Sequence, residues 1–218
     1  MSSFQDNGII YLSGGGGSED SRPIDTDFIN HLPTNAKILY LPFAAVPKQN
    51  GYDESVSWLT QTLENVGQDH HFSIDVPRDD KEIRNISLNS YDAIYIGGGN
   101  TYRLLDIIKG CKLDGKLIKF YKNGGVIYGG SAGAIIFGKT IETVAEENLF
   151  DSRNQNGMDL INRLSIRCHF TEDDKNAVRE IAIGTNTDIL CLSERSGVMF
   201  ANGILKDIGY EPYLLIKC

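Results

Sequence analysis

The chain has 218 residues, of which 41% are hydrophobic, and a formal net charge of −8 at pH 7. This length and apolar content are enough for one folded unit with its own core, so we predict a single domain over residues 1–218. The acidic balance argues against nucleic acid and anionic membranes as partners, because both attract basic surfaces.

Targeting and cysteine patterns are equally restrictive. The N-terminus carries no basic stretch followed by an apolar core, and no run approaches the roughly 20 apolar residues of a membrane-spanning helix. We therefore predict a cytoplasmic protein. The four cysteines, Cys111, Cys168, Cys191 and Cys218, have neither a pairing nor a metal-ligand spacing, which predicts reduced thiols and no metal site.

The first part of the chain alternates between strand-like and helix-like segments. Five apolar runs are typical of strands, at residues 9–12, 38–43, 72–76, 93–96 and 126–128. An amphipathic helical pattern over residues 55–63 separates the second run from the third. This order predicts an α/β fold with a mostly parallel central sheet covered by helices on both faces.

A glycine cluster, Gly14 to Gly17, follows the first predicted strand. Glu19 occupies the place of the third glycine in the dinucleotide-binding fingerprint, so the pattern does not predict a dinucleotide site. We expect a flexible loop at the carboxyl edge of the sheet that borders the cleft. A mobile surface loop without substrate contact is the alternative.

The predicted strand at 93–96 is followed by a second glycine-rich loop, Gly97 to Gly99. Glycines allow a backbone N–H to approach a developing oxyanion closely. The alternative is a tight turn into a helix over residues 102–109 that Asn100 or Thr101 caps, and the two interpretations are compatible.

The predicted strand at 126–128 runs into Gly129-Gly130-Ser131-Ala132-Gly133, the Gly-x-Ser-x-Gly pattern of a nucleophile elbow. Small neighbours allow the sharp turn that lifts one hydroxyl clear of the sheet. The pattern predicts Ser131 as a nucleophile and the backbone N–H of Ala132 as an oxyanion donor. A serine hydroxyl is a poor nucleophile alone, so a base and an orienting acid are required.

The same region, residues 133–140, matches the P-loop pattern G-x-x-x-x-G-K-[ST]. Its interior is Ala-Ile-Ile-Phe, four apolar residues that bury naturally in a helix but do not suit a loop around a polyphosphate. We therefore interpret the match as a coincidence in which Lys139 and Thr140 end the helix or form a polar wall of the site. A nucleotide-binding protein remains the alternative from another functional class.

Four histidines could supply the base: His31, His70, His71 and His169. The first three lie in segments typical of solvated surface. His169 stands near the end of a strand-like segment, residues 164–170, and precedes a polar helix start. Since the carboxyl end of a strand is where α/β sheets present functional groups, we predict His169 as the base.

Five carboxylates lie between Ser131 and His169 in the chain: Glu142, Glu146, Glu147, Asp151 and Asp159. The sequence pattern alone does not show which of them orients His169. Further along, Asn202-Gly203 between two short apolar runs predicts a β-hairpin over residues 197–206, and residues 210–216 read as a last strand at a sheet edge.

Three motifs together resemble one known family. They are Ile96-Gly97-Gly98-Gly99-Asn100-Thr101, Gly129-Gly130-Ser131-Ala132-Gly133-Ala134 and Cys168-His169-Phe170-Thr171. The chain is similar to the peptidase E family of serine peptidases, which includes the aspartyl dipeptidases and, more distantly, the cyanophycinases. The resemblance implies a three-layer α/β sandwich related to class I glutamine amidotransferases.

The resemblance also implies site residues. Ser131 is the expected nucleophile, His169 the base, and the N–H groups of Gly98 or Gly99 and of Ala132 the oxyanion donors. The acid of the family falls on Glu146, with Glu147 or Asp151 as alternatives. Asn100 and Thr101 are the expected substrate-binding residues.

The predicted function is that of a serine exopeptidase, a dipeptidase or aminopeptidase without cofactor or metal, which acts on short peptides and assembles as a homodimer. Strict selectivity for an N-terminal Asp is not predicted. Aspartyl dipeptidases carry a cation just after the elbow helix, where this chain has Ile141-Glu142-Thr143, and burial of a substrate carboxylate beside Glu142, Glu146 and Glu147 is unfavourable unless Lys139, Arg153 or Arg167 compensates. An esterase or amidase with the same triad and an inactive binding relative are the remaining alternatives.

Overall fold

A computed structural model describes residues 8–47 and 51–218. The strands in this part of the chain are β1 (Ile9–Ser13), β2 (Asn35–Leu41), β3 (His71–Asp75), β4 (Ala93–Ile96), β5 (Val126–Gly130), β6 (Ser165–Arg167), β7 (Ile189–Cys191), β8 (Gly197–Ala201), β9 (Ile204–Asp207) and β10 (Leu214–Ile216). The α-helices are α1 (Arg22–Asn30), α2 (Asp53–Val66), α3 (Asp80–Asn85), α4 (Thr101–Gly110), α5 (Leu113–Lys122), α6 (Ala132–Ile135) and α7 (Lys175–Thr185). Short 3-10 turns lie at Leu88–Ser90 and Glu172–Asp174.

The described strands form two sheets. The larger has seven strands in the order β3-β2-β4-β5-β1-β8-β9, and the smaller has three in the order β10-β7-β6. Strands β3, β2, β4, β5 and β1 run parallel, whereas β8 pairs antiparallel with β1 and β9 antiparallel with β8. The predicted α/β fold with a mostly parallel sheet is confirmed.

The predicted hairpin is also present. Strands β8 and β9 meet at Asn202 and Gly203, whose φ angles of 50° and 77° are those of the tight turn that fits the twist of a hairpin. The last strand is β10, which is shorter than expected. It pairs with β7 at the edge of the smaller sheet and does not extend the larger one.

Alternating side chains along the central strands cover both faces of the larger sheet. Ile10 and Leu12 of β1 pack in one apolar cluster with helices α4, α5 and α6, and Tyr11 packs on the opposite face with helices α1 and α2. Each fully buried apolar side chain of this kind contributes about 1.5–3 kcal/mol. The two clusters therefore hold the central strands, and the loops at their ends, in fixed positions.

Because the central strands are parallel and in register, their carboxyl ends lie side by side. Ser13 of β1 pairs with Gly130 of β5, and Ile96 of β4 pairs with Gly129 of β5. The loops that start at Gly14 and Gly97 and the turn at Ser131 therefore emerge together at one edge of the sheet.

The smaller sheet brings a second pair of strand ends to this edge. Strands β6 and β7 are parallel, with Arg167 opposite Cys191, and Ile166 and Leu190 pack in the same apolar cluster as Ile10 and Leu12. The strand-like segment at 164–170 was predicted too long. It ends at Arg167 because the backbone turns at His169, where φ is 51°.

No helix in residues 8–47 and 51–218 is long and apolar enough to cross a membrane. The prediction that the N-terminus forms no leader segment rests on residues 1–7, which lie outside the described residues.

Candidate active site

Ser131 stands at a strained turn between β5 and α6. Its φ of 51° and ψ of −113° lie outside the regions that L-residues populate, a conformation that costs about 1–3 kcal/mol. Gly129 allows this turn, since a Cβ there would collide with the carbonyl group of Gly133. The N–H of Ser131 donates to the carbonyl of Ser13 (3.1 Å), which anchors the turn to the end of β1.

His169 lies against the Ser131 hydroxyl. The distance from Ser131 Oγ to His169 Nε2 is 2.8 Å, and the imidazole is about half exposed. The N–H of His169 donates to the carbonyl of Gly14 (3.0 Å), the residue that follows Ser13. Neighbouring carbonyls at the end of β1 thus position both members of the pair.

The carboxylate that meets the imidazole belongs to Glu194. Its Oε1 lies 3.1 Å from His169 Nδ1. The Ser131 hydroxyl can donate to Nε2 only when the ring proton is on Nδ1, and that N–H is then the donor to Glu194. His169 and Glu194 meet because β6 and β7 are parallel neighbours: His169 follows the end of β6 and Glu194 follows the end of β7.

Among the described residues, Glu146 forms no hydrogen bond or ion pair with His169, so the contacts do not support its expected role as the orienting acid. Its Oε1 accepts the N–H of Thr101 (2.8 Å), the first residue of α4, where a carboxylate is favoured by the free N–H groups and the helix dipole. Among the contacts of the described residues, neither Glu147 nor Asp151 bonds to His169 either. Glu146 thus binds the N-terminus of α4, whereas the His169 imidazole faces the loop after β7 that carries Glu194.

The glycine cluster after β1 joins the parts of this site. A Cβ on Gly15, where φ is 104°, would lie 2.5 Å from His169 Nε2 and 2.9 Å from Ser131 Cβ. A Cβ on Gly16 would lie 2.5 Å from the carbonyl oxygen of Glu194, and one on Gly14 would collide with the Ser193 carbonyl. The loop therefore borders the cleft, and the alternative of a surface loop remote from the site does not hold.

The second glycine loop faces the nucleophile from the other side. A Cβ on Gly98 would lie 3.2 Å from Ser131 Cβ and 3.8 Å from its Oγ. Gly99, with φ of 136°, packs on the Ala44 carbonyl. Within residues 8–47 and 51–218, no hydrogen bond uses the N–H of Gly98, Gly99 or Ala132. Backbone N–H groups without a protein acceptor at such a turn are available to a ligand oxygen.

Asn100 and Thr101 act in the helix start. The Asn100 side chain caps α4 by accepting the N–H of Arg103 (3.0 Å), and Thr101 is buried with its N–H bonded to Glu146. Neither residue is among those that line the cleft beside Ser131. Their expected contact with substrate stays a prediction.

Two depressions flank the Ser131–His169 pair. A cleft of about 140 Å³ lies beside Ser131 and Gly98, and a groove of about 850 Å³ runs from His169 and Glu194 towards Tyr213. The hydroxyl and the imidazole therefore lie between a small and a large recess.

The P-loop match forms no open loop. Ile135, Ile136 and Phe137 are buried in the apolar core, and the Lys139 ammonium donates to the Thr187 hydroxyl (2.7 Å). Among the described residues, no group of three His, Cys, Asp or Glu side chains is arranged to hold a metal ion.

Comparison with known proteins gives one consistent result. A model of Peptidase family S51 matches residues 9–206. The chain is 36% identical over 130 residues to the uncharacterized peptidase YgaJ of Bacillus subtilis strain 168, an alignment that covers 58% of this chain and 54% of that protein. The chain thus spans about half the length of this curated relative.

Solved structures share the fold. A candidate peptidase E from Listeria monocytogenes EGD-e superposes with a TM-score of 0.71 at 20% identity, over 94% of this chain and 100% of the other. A peptidase from an acI-B1 actinobacterium superposes with a TM-score of 0.64 at 13% identity, over 99% of this chain and 96% of the other. Since the family model covers nearly the whole chain and places the elbow serine within it, the chain belongs to peptidase family S51, a family of serine-type peptidases.

Proposed function

We propose that this protein is a serine exopeptidase of the dipeptidase or aminopeptidase type, with Ser131 as nucleophile, His169 as base and Glu194 as orienting acid. The observation that carries the proposal is the unbroken line of contacts from Ser131 Oγ to His169 Nε2 (2.8 Å) and from His169 Nδ1 to Glu194 Oε1 (3.1 Å). A serine becomes a competent nucleophile in such a line because the base removes its proton and the acid orients the base.

The acylation step follows from these contacts. Ser131 Oγ attacks the carbonyl carbon of the peptide while its proton passes to His169 Nε2. The carbonyl electron pair moves to the oxygen, which accepts the N–H groups of Ala132 and of Gly98 or Gly99. The imidazolium then gives its proton to the amine nitrogen, the C–N bond breaks, and the acyl group stays on Ser131.

Deacylation uses the same groups in reverse. Water gives a proton to His169 Nε2 as its oxygen attacks the ester carbonyl, and the tetrahedral intermediate collapses to the free acid as Ser131 recovers its proton. Glu194 stabilises the imidazolium in both steps. No cofactor or metal enters this sequence.

The positions of the two recesses support one placement of the two sides of the scissile bond. The acyl residue is bonded to Ser131 and occupies the small cleft, whereas the amine receives its proton from His169 and leaves through the larger groove. The small cleft has a volume of about 140 Å³, which suits one residue on the acyl side of the scissile bond. This size supports an exopeptidase.

A strict preference for an N-terminal Asp is not proposed. The Lys139 ammonium donates to Thr187, and the Arg167 guanidinium donates to the Thr143 carbonyl and to Asp174. Two of the three cations that could balance a substrate carboxylate beside Glu146 are therefore engaged elsewhere.

Hydrolysis of a panel of dipeptides and aminoacyl amides by the wild-type protein and Ser131→Ala tests the proposal. The panel includes Asp-Leu, Ala-Leu and Gly-Leu, together with matched esters. We expect turnover of dipeptides by the wild type and a loss of about 10⁴-fold or more in kcat for Ser131→Ala.

Turnover of esters but not of peptides would replace the peptidase with an esterase. Equal turnover by both proteins would show that Ser131 is not the nucleophile. No turnover by the wild type, with retained folding, would contradict the enzyme and favour a binding relative.

A further inference from the structure

A carboxylate that the mechanism does not use lies behind the small cleft. Asp25, on α1, is completely buried. Its two oxygens accept hydrogen bonds from Ser21 Oγ (2.7 Å) and Tyr128 Oη (2.7 Å). Among the described residues, no lysine, arginine or histidine forms an ion pair with it.

Burial of a carboxylate without a cation is unfavourable, so its presence calls for a reason. Desolvation raises the pKa of Asp25 to about 6, against which the hydrogen bonds from Tyr128 and Ser21 act. The two hydroxyl donors stabilise the ionised carboxylate, and in that form Asp25 places a negative charge inside the protein on the side of α1.

The partners of this carboxylate connect it to the cleft beside Ser131. Both Ser21 and Tyr128 line the cleft, together with Gly15, Gly98 and the partly exposed ring of Trp58. A hydroxyl group has one proton. The Ser21 hydroxyl lies 2.7 Å from Asp25 and 3.1 Å from the Gly17 carbonyl, and when its proton is given to Asp25 the oxygen keeps only lone pairs for a ligand. The walls of the cleft thus offer acceptor oxygens and aromatic side chains, with a carboxylate directly behind them.

We propose that this cleft is the binding site for a primary ammonium group on the substrate residue whose carbonyl Ser131 attacks, with Asp25 as the positioning residue that makes the site selective for positive charge. An ammonium group has three donors and no acceptor, which matches acceptor oxygens held by a carboxylate. Trp58, which lines the cleft, carries an aromatic ring of the kind that attracts a cation. This inference rests on the proposed function, because it uses Ser131 to define the acyl side.

The ammonium group has two possible sources. It is either the α-amino group of an N-terminal residue or the side chain of a lysine-like residue. Both have the same chemistry, and acetylation removes the charge from either one separately.

Binding to the unreactive Ser131→Ala protein tests the site without relying on turnover. Isothermal titration compares Ala-Leu, N-acetyl-Ala-Leu and N-acetyl-Lys-Leu. We expect Ala-Leu or N-acetyl-Lys-Leu to bind about 10–100-fold more tightly than N-acetyl-Ala-Leu, the range for a hydrogen bond to a charged group. Tight binding of the first assigns the α-amino group, and tight binding of the second assigns the side chain.

Adding Asp25→Asn should abolish this preference, because the amide keeps the shape of the side chain but removes its charge. Asp27→Asn is the matched control: Asp27 lies on the same helix and likewise accepts a tyrosine hydroxyl, but that of Tyr11 (2.8 Å), which does not line the cleft, whereas the Asp25 partners Ser21 and Tyr128 do. The control should keep the preference. A merely structural effect would weaken all three ligands equally.

If Asp25→Asn does not fold, as judged by thermal melting, Ser21→Ala replaces it and should reduce the preference several-fold by removing one acceptor oxygen. Equal affinity for charged and acetylated ligands, no binding of any ligand up to its solubility limit, or a preference that survives in Asp25→Asn would each overturn the proposal. Charge-selective binding without turnover by the wild type would instead overturn the peptidase and leave the ammonium site, so the two failures are distinguishable.

Discussion

The two sheets contribute to the site in different ways. The seven-stranded sheet supplies Ser131 and the glycine loops from the ends of β5, β1 and β4, and the three-stranded sheet supplies His169 and Glu194 from the ends of β6 and β7. Both use the carboxyl ends of parallel neighbours. The proposed nucleophile lies in one short local motif. The proposed base and its carboxylate come together through the pairing of β6 and β7, and they meet Ser131 only when the smaller sheet packs against the larger one.

The largest expected effect separates Glu194 from Glu146. Because Glu194 contacts His169, Glu194→Gln should lower kcat by about 10²–10⁴-fold through loss of the correct imidazole orientation and charge. Glu146→Gln, a substitution of the same chemistry in the other sheet's surroundings, should leave kcat within about threefold and lower the melting temperature, because it weakens the cap of α4. Steady-state kinetics and thermal melting of the two variants measure both effects.

A reversed result, with Glu146→Gln inactive and Glu194→Gln active, would show that the carboxylate of the smaller sheet is dispensable. It would overturn the different roles assigned to Glu194 and Glu146.

The glycine loop after β1 contacts both Ser131 of the larger sheet and His169 of the smaller sheet, so a side chain in this loop should push the two residues apart. Gly15→Ala places a methyl group 2.5 Å from His169 Nε2 in a backbone with φ of 104°, and it should lower kcat/KM by about 10²-fold by displacing the imidazole. Gly17→Ala is the matched control, since its nearest neighbour would be 3.9 Å away. Equal activity of the two variants would contradict the assignment of the loop.

The buried Asp25, on helix α1 beside the larger sheet, should make the stability of the protein depend on pH. Burial raises its folded pKa to about 6, above the ordinary value of 3.8, so the folded state holds the proton more tightly than the unfolded state does. The stability gained is complete below the unfolded pKa and is lost as pH rises through about 6, a total of about 3 kcal/mol.

The free energy of unfolding of the wild type relative to Asp25→Asn should therefore decrease between pH 4 and pH 7. Urea denaturation at several pH values measures this difference. A difference that stays constant across this range would mean that Asp25 is not strained by burial.

The smallest effect concerns the turn at Ser131. Ser131→Gly should be more stable than Ser131→Ala by about 1–2 kcal/mol, because glycine accepts φ of 51° and ψ of −113° without strain. Both variants lack the hydroxyl, so their chemistry is matched. Denaturant titration that finds Ser131→Gly equal to or less stable than Ser131→Ala would mean that the turn stores no strain.

The sequence predicted the parts of this site that depend on short-range geometry. Gly-x-Ser-x-Gly requires a turn of one kind, so Ser131 and the fold around it followed from the motif. The end of β6 was placed too late, because the left-handed turn at His169 leaves no mark on a residue type that is not glycine.

Glu194 could not be chosen in the same way, because an acid is constrained only by where it ends up in space. The predicted acids all lie between Ser131 and His169 in the chain, yet the pattern that predicts His169, a polar residue at the end of an apolar strand, applies equally to Glu194 after β7. Asp25 gave no signal at all, since a carboxylate near the start of a helix is ordinarily solvated.

We propose that His169 and Glu194 activate Ser131, and reaction with a fluorophosphonate followed by peptide mapping measures this activation. We predict modification of the wild type at Ser131 alone, none in His169→Gln, slower modification in Glu194→Gln and an unchanged rate in Glu146→Gln. Modification at a different serine, or an unmodified Ser131 in the folded wild-type protein, would contradict it.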